Sequence, residues 1–285
     1  MDGKPAGMTA NVPHGTIKFS RKEELCVAKI VAIANQKGGV GKTTTTMALG
    51  EAMARAGKRV LLVDLDAQAN LTMSMGYKTP DEIPITIATM FKAHIAGRMN
   101  EIPTNYVLSA NGIDFLPASI ELSELDYLLM TAMNREYILK RILDRYKESY
   151  DYVIIDCLPS LNLLAVNALA AADEVIVPVQ AQYLSAKGLD LLLQTVLKVQ
   201  ANLNPSLKIA GIVITMLDGR AVFQKELVQE ITEAYGTAIH FFESTIPLSV
   251  KVSEAQAKSN TIIDMKRNKV AQSYLRLAEE VMSNG

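Results

Sequence analysis

Asn35-Gln36-Lys37-Gly38-Gly39-Val40-Gly41-Lys42-Thr43-Thr44 lies directly behind an apolar run, Ala28 to Ala34 (AKIVAIA), and opens a helix-forming stretch, Lys42 to Ala56. The three parts read as strand, glycine loop and helix. Glycines let backbone N–H groups turn inward and cradle phosphates, and a helix N-terminus adds partial positive charge. Gly38, Gly39, Val40, Gly41 and Thr44 are therefore candidate phosphate contacts. Lys42 is placed to neutralise β- and γ-phosphate oxygens, and Thr43 to offer its hydroxyl to Mg2+. The spacing departs from G-x-x-x-x-G-K-[ST] at its first position, where this chain has Gln36. A second lysine, Lys37, stands five residues before Lys42. On spacing alone it either binds in cis, faces solvent or crosses to a second subunit's nucleotide.

Outward from the loop the pattern alternates. Val60 to Leu65, Tyr152 to Ile155, Glu174 to Val179 and Ile209 to Met216 are short apolar runs rich in β-branched residues. Such runs suit strands covered on both faces, as in a parallel sheet. Helical stretches intervene at about Leu122 to Lys147, Leu163 to Ala171, Ala186 to Leu203, Ala221 to Ala234 and Asn268 to Met282. The alternation predicts an α/β fold: a doubly wound, mostly parallel sheet with helices on both faces. Gly112 to Leu116 and Ile239 to Phe242 are weaker strand candidates, and Thr79 to Gly97 is broken up by proline. No linker divides the chain. The expected organisation is a flexible polar leader over 1–28 and a single P-loop domain over 29–285.

Carboxylates stand where such a sheet puts its site. In open α/β sheets ligands bind outside the carboxyl ends of strands. Asp64 and Asp66 end the second strand, and residues two apart share a strand face. Tyr152-Val153-Ile154-Ile155-Asp156 has the form of a Walker B strand, whose terminal acid suits holding a Mg2+-bound water.

Composition narrows the classes. Of 285 residues, 49% are hydrophobic and 21% charged, which excludes a disordered chain. Two cysteines, Cys26 and Cys157, exclude a disulfide scaffold and favour a reducing compartment. The formal charge is −1, so any nucleic-acid surface must be a local patch. Trp is absent and aromatics total 6%, which argues against base stacking on single strands. No stretch approaches the roughly 20 apolar residues of a membrane span. The C-terminal segment, with Glu279 and Glu280, lacks the basic amphipathic pattern of a membrane-surface helix.

Lys37-Gly38-Gly39-Val40-Gly41-Lys42-Thr43-Thr44 resembles the deviant Walker A loop of the ParA/MinD family of P-loop ATPases. Asp64 to Asn70 (DLDAQAN) resembles that family's D-x-D-P-Q-G-N, with Ala67 and Ala69 in place of Pro and Gly. Asp156-Cys157-Leu158-Pro159-Ser160 resembles D-[TC]-P-P-S, with Leu158 in place of a proline. Leu116-Pro117-Ala118, Pro178-Val179-Gln180 with Ala186 to Leu189, Thr215 to Arg220 and Thr245 to Ala255 resemble further segments of the ParA/Soj-like partition branch. The resemblance runs from about Lys29 to Val281.

It implies a Mg2+-dependent ATPase that forms an ATP-dependent homodimer, with two ATP molecules sandwiched between subunits. Lys37 is then a catalytic residue reaching the partner's phosphates, beside Lys42, and Asp66 positions or activates the attacking water. Asp64 falls in the outer Mg2+ shell, Thr43 and Asp156 (through water) serve the metal, and Pro247 borders the adenine. The resemblance also implies nonspecific double-stranded DNA and a ParB-like centromere-binding protein as partners, no membrane, and a cytoplasmic, nucleoid-associated location. Family positions for DNA contact fall on Arg220 and Lys251, with Lys225, Lys258, Lys266, Arg267 and Lys269 as possible extensions of the patch. The family's Arg-Asn after the proline is Leu248-Ser249 here. A MinD-like ATPase that positions itself on a membrane or carries protein cargo is the alternative. About 28 residues precede the first strand, too few for the helix-turn-helix domain of longer partition ATPases.

Overall fold

Val60–Leu65 is buried at every position. Alternate residues of a strand face opposite sides of a sheet. Leu61, Val63 and Leu65 enter one apolar layer, while Val60 and Leu62 enter the other. A strand apolar on both faces needs helices above and below it, and the chain supplies them.

The computed structural model describes residues 27–182, 185–265 and 268–283, without the side chains of 185–187. Residues 1–26 of the expected leader, Cys26, Lys266 and Arg267 lie outside the described residues. In chain order the elements are β1 Lys29–Ile33, α1 Lys42–Arg55, β2 Val60–Leu65, α2 Asn70–Ser74, α3 Ile87–Ile95, β3 Leu108–Ala110, β4 Ile113–Leu116, α4 Leu122–Thr131 and α5 Ile138–Leu143. They continue with β5 Tyr152–Cys157, α6 Leu163–Ala171, β6 Glu174–Gln180, α7 Ser185–Asn202, β7 Lys208–Thr215, α8 Val222–Tyr235, α9 Val250–Ala257 and α10 Lys269–Ser283.

The seven strands form one sheet in the order β3-β4-β2-β5-β1-β6-β7. All neighbours are parallel except the edge pair β3 and β4. The fold is the doubly wound α/β architecture expected from the alternation. Helices α3 to α7 cover one face through residues such as Phe91, Leu139, Leu169 and Leu192. Helices α1 and α10 cover the other through Met47, Met53, Tyr274 and Leu277. Gly50 lets α1 close on the sheet, since a Cβ there would lie 2.7 Å from Leu62 Cδ2. Because β1 lies between β5 and β6, the chain crosses over β1 on its way from β5 to β6. The loops after β1, β2 and β5 therefore meet at the carboxyl edge, where such sheets bind ligands.

The apolar stretch Leu122 to Lys147 is not one helix. It breaks after Thr131: Ala132 is extended, Asn134 is left-handed (φ 50°), and a 3-10 turn over Arg135–Tyr137 leads into α5. Asn adopts the left-handed region more readily than other residues with a side chain. The break is held by Asn167 of α6, which is fully buried. Its Nδ2 donates to Arg135 O (2.8 Å) and Leu163 O (2.9 Å), and its Oδ1 accepts from Leu139 N (3.1 Å). Asn167→Ala leaves two of these backbone groups buried without a partner, at roughly 1–3 kcal/mol each. A loss of about 3 kcal/mol in unfolding free energy, read from the urea midpoint, is expected; a midpoint unchanged from wild type would show that the break holds without Asn167.

Ile239 to Phe242 makes a single parallel bridge, Ile212 to Phe241, rather than a strand. The proline-punctuated region holds a 3-10 turn, Pro80–Glu82, and α3, which starts in a capping box of Thr86 and Thr89. Among the described residues no helix is long and apolar enough to cross a membrane.

Candidate functional site

The loop after β1 is held in shape before anything binds it. Asn35 Nδ2 donates to Pro178 O (2.7 Å), while Asn35 Oδ1 accepts from Lys37 N (2.9 Å). Thr215 Oγ1 donates to Val40 O (2.8 Å) from the end of β7. Gly39 and Gly41 have φ of 74° and 86°, a conformation costing an L-residue roughly 1–2 kcal/mol. Helix α1 has no side-chain cap at Gly41, so its first N–H groups remain available to an anion.

The two lysines are disposed differently. Lys42 is buried and curls back, its Nζ donating to Lys37 O (3.1 Å). Burial lowers its pKa below the usual lysine value, opposed by the charges of Asp156, Cys157 and Asp66. Lys37 turns away from its own loop, and its Nζ donates to Gln182 Oε1 at 2.6 Å.

Asp156 is the anomaly of the site. It is 1% exposed, and neither carboxylate oxygen has a hydrogen-bond partner among the described residues. A buried unpaired carboxylate is costly and calls for a ligand. Its pKa is raised well above the carboxylate range by burial first and the Asp64 charge second; the Thr43 hydroxyl and Lys42 pull it down. A free buried carboxylate beside a threonine hydroxyl and a helix N-terminus is an oxygen-donor set suited to a small hard cation that keeps some of its water.

Asp64 pairs in register with Asp156 across β2 and β5, but its oxygens are occupied. Oδ2 accepts from Thr72 N (2.8 Å) and Thr72 Oγ1 (2.7 Å), and Oδ1 accepts from Asp66 N (3.2 Å). Thr72 Oγ1 in turn accepts from Ala118 N (2.9 Å). Asp64 thus ties β2 to α2 and to the segment after β4, and its pKa rises to about 6 through burial. Asp66, two residues on, is half-buried, and its Oδ1 accepts from Gln68 N (3.0 Å). Next to it Ala69, buried, is left-handed with φ 50°, where a glycine would carry no strain.

Gly38, Gly39, Gly41, Lys42, Thr43, Thr44 and Asp66 line one cavity of about 520 Å3. Its remaining wall includes Asn70, Met73, Lys78, Pro159, Met216, Gln256 and Ala257. Val40, Asp64 and Asp156 lie behind this surface, all buried. Pro247 does not line the cavity; it bridges to Leu217, the neighbour of Met216. That bridge brings the segments bearing Arg220 and Lys251 alongside one another. Both residues are exposed, Arg220 with its Nε 3.2 Å from Asp218 Oδ1. Exposed Val222, Phe223, Leu248 and Val250 lie on the same segments, and Lys225, Lys258 and Lys269 are exposed as well. Cys157 is buried, with its thiol pKa pushed up by burial, which suits packing rather than nucleophilic chemistry.

Sequence reading gave Asn35, Thr215, Thr72 and Gln256 no role in the site. Each is an ordinary polar residue until the fold sets it against the loop or the acids.

A family model described as an AAA domain matches residues 28–209. The chain is 40% identical over 260 residues to the sporulation initiation inhibitor protein Soj of Bacillus subtilis, covering 91% of this chain and all of that protein. Among solved structures it resembles cobyrinic acid a,c-diamide synthase from Mycobacterium smegmatis with bound ADP and magnesium, at a TM-score of 0.75 and 34% identity over 88% of this chain and 93% of that one. It also resembles a plasmid partition protein of Borrelia burgdorferi bound to AMPPNP, at a TM-score of 0.72 and 25% identity over 91% of this chain and 100% of that one. On its loop, its acids, its sheet order and these relationships, the chain belongs to the ParA/Soj branch of the ParA/MinD family of P-loop ATPases.

Proposed function

We propose that this protein is an ATP-dependent DNA-partition ATPase. ATP is its substrate and Mg2+ its cofactor. The loop amides and Lys42 hold the β- and γ-phosphates. Thr43 would hold the metal directly and Asp156 through water. Mg2+, when bound, would supply charge that neutralises the β- and γ-phosphate groups. Asp66 orients the attacking water at the open end of the cavity. Lys37 serves the nucleotide of a second subunit in an ATP-bound homodimer. Asp64 fixes the Asp66 loop and lies in the outer metal shell, and Pro247 backs the wall on the adenine side. The dimer binds duplex DNA without sequence preference through Arg220 and Lys251, and a ParB-like protein stimulates hydrolysis. The chain works in the cytoplasm on the nucleoid. It is one P-loop domain from residue 29 onward.

The observation that carries this reading is the contrast between the lysines. Lys42 is folded into its own loop, whereas Lys37 points away from it. A loop serving one subunit has no need of the second. The reading follows the Soj relative, at 40% identity, ahead of the synthase, at 34%.

Binding to unrelated duplexes in ATP should fall steeply with salt as counterions are released. Arg220→Ala or Lys251→Ala should weaken binding alike on every sequence and reduce the salt slope by about one, with ATPase activity retained. The measurement is a salt titration of ATP-dependent DNA binding. No binding at low salt would reject the partition reading. The exposed Val222, Phe223, Leu248 and Val250 beside these cations favour one second reading, a MinD-like ATPase on a lipid surface. Co-sedimentation with anionic liposomes in ATP, where DNA gives none, would establish it.

A further inference from the structure

The cavity has two ends of different chemistry. The loop from Gly38 to Thr43 faces the terminal phosphates. Thr44 is one residue further into α1, so the rest of a bound nucleotide leaves the loop past its hydroxyl. Gln256, near the C-terminal end of α9 and 212 positions away in sequence, reaches that hydroxyl. Gln256 Nε2 donates to Thr44 Oγ1 at 3.1 Å, and the residue lines the cavity.

Gln256 is held in place from both sides. Its side chain is anchored on Thr44. Its neighbour Ala257 accepts, through its backbone oxygen, from Lys78 Nζ (3.5 Å), which also donates to Met73 O (3.0 Å). The end of α9 is thereby fastened to the end of α2 across the cavity. Gln256 Oε1 makes no hydrogen bond among the described residues. A carboxamide thus presents a second N–H and a free carbonyl beyond the phosphate end. The group that follows the α-phosphate outward is the sugar, whose hydroxyls both donate and accept.

We propose that Gln256 is the sugar-reading residue of this site: its amide hydrogen-bonds a ribose hydroxyl and so selects a ribonucleoside triphosphate over a bare polyphosphate. The proposal rests on the ATPase reading of the loop. It assigns a contact to α9, the helix that also carries Lys251.

The test is calorimetry with Mg2+ and three probes: ATP, 2′,3′-dideoxy-ATP and inorganic tripolyphosphate. Wild type should bind ATP about fivefold to tenfold more tightly than the dideoxy compound, the yield of one net hydrogen bond. Gln256→Ala should lose that preference by weakening ATP alone, with tripolyphosphate affinity within about twofold of wild type. Gln256→Met keeps the length of the side chain without its polar atoms and should behave as the alanine variant does. Equal losses for ATP and tripolyphosphate, or a preference for ATP over the dideoxy compound that survives both substitutions, would overturn the proposal while leaving the phosphate loop intact. Wild-type protein that binds none of the three would overturn the loop reading and this one together.

Discussion

Lys42→Ala is expected to weaken ATP binding by about 10²- to 4×10³-fold, the equivalent of the roughly 3–5 kcal/mol lost when one partner of a buried charge pair is removed. The ammonium of Lys42 sits in a buried pocket formed by its own loop, donating to Lys37 O at 3.1 Å. Burial already pulls its pKa down, and Asp156 is the strongest group holding its charge in place. A triphosphate entering the cavity brings several negative charges to a place with little water. Backbone N–H groups and a helix N-terminus supply only partial charge against them. The variant should fold, since removing a desolvated cation relieves strain in the empty site. A melting temperature equal to or above wild type, together with the loss of ATP binding by calorimetry, is the expected pair of results. ATP affinity unchanged by the substitution would remove the loop from the mechanism.

The ease with which parts of this molecule are read from sequence follows from how locally each is encoded. β2 is legible because all six of its residues are buried, so it appears as an unbroken apolar run. The phosphate loop is legible because its glycines and lysines sit within one short segment. The break at Asn134 is not, because the chain on either side is helix-forming and the partner that satisfies the broken backbone, Asn167, comes from another helix. β3 is three residues long and only partly buried, and it pairs antiparallel at the sheet edge, so no run of apolar residues announces it. Helix α2 is five residues long and follows a left-handed Ala69, a position a sequence marks clearly only when glycine stands there. In the site, the loop side is spelled out in sequence and the opposite wall is not. The unpaired carboxylate of Asp156 arises from its register beside Asp64, whose own oxygens are taken by Thr72 and Asp66 N. Gln256 reaches Thr44 only because the fold brings the end of α9 within hydrogen-bond distance of the start of α1. Spacing motifs describe contacts within one turn of chain, and these contacts join elements that meet only in the folded state.

Lys37→Ala and Asp66→Ala should fail in opposite ways. Lys37 makes one side-chain hydrogen bond among the described residues, an exposed one to Gln182 Oε1, and none to its own loop through its ammonium. Removing it should leave ATP binding by the monomer within about threefold of wild type, since Lys42 and the loop amides are untouched. On the proposed mechanism, what should disappear is the ATP-dependent dimer, because the charge proposed to cross the seam is gone. Asp66 is half-buried at the cavity wall, with Oδ1 accepting from Gln68 N, and it makes no ion pair among the described residues. Its loss removes the group proposed to position the attacking water, but no binding charge. ATP affinity and dimerisation should persist while turnover falls by about 10²-fold or more, the usual contribution of a positioned acid or base. The trapped dimer should then be the longest-lived form of the protein. Size-exclusion chromatography with ATP, run beside a phosphate-release assay, separates the outcomes: monomer for Lys37→Ala, and a slow or inactive dimer for Asp66→Ala. A Lys37→Ala protein that still dimerises and hydrolyses ATP would place that lysine in solvent and make the site self-sufficient within one subunit. An Asp66→Ala protein with full turnover would move the water-positioning role elsewhere. Asp156 is the other acid beside Thr43, and it is held behind the cavity wall rather than on it.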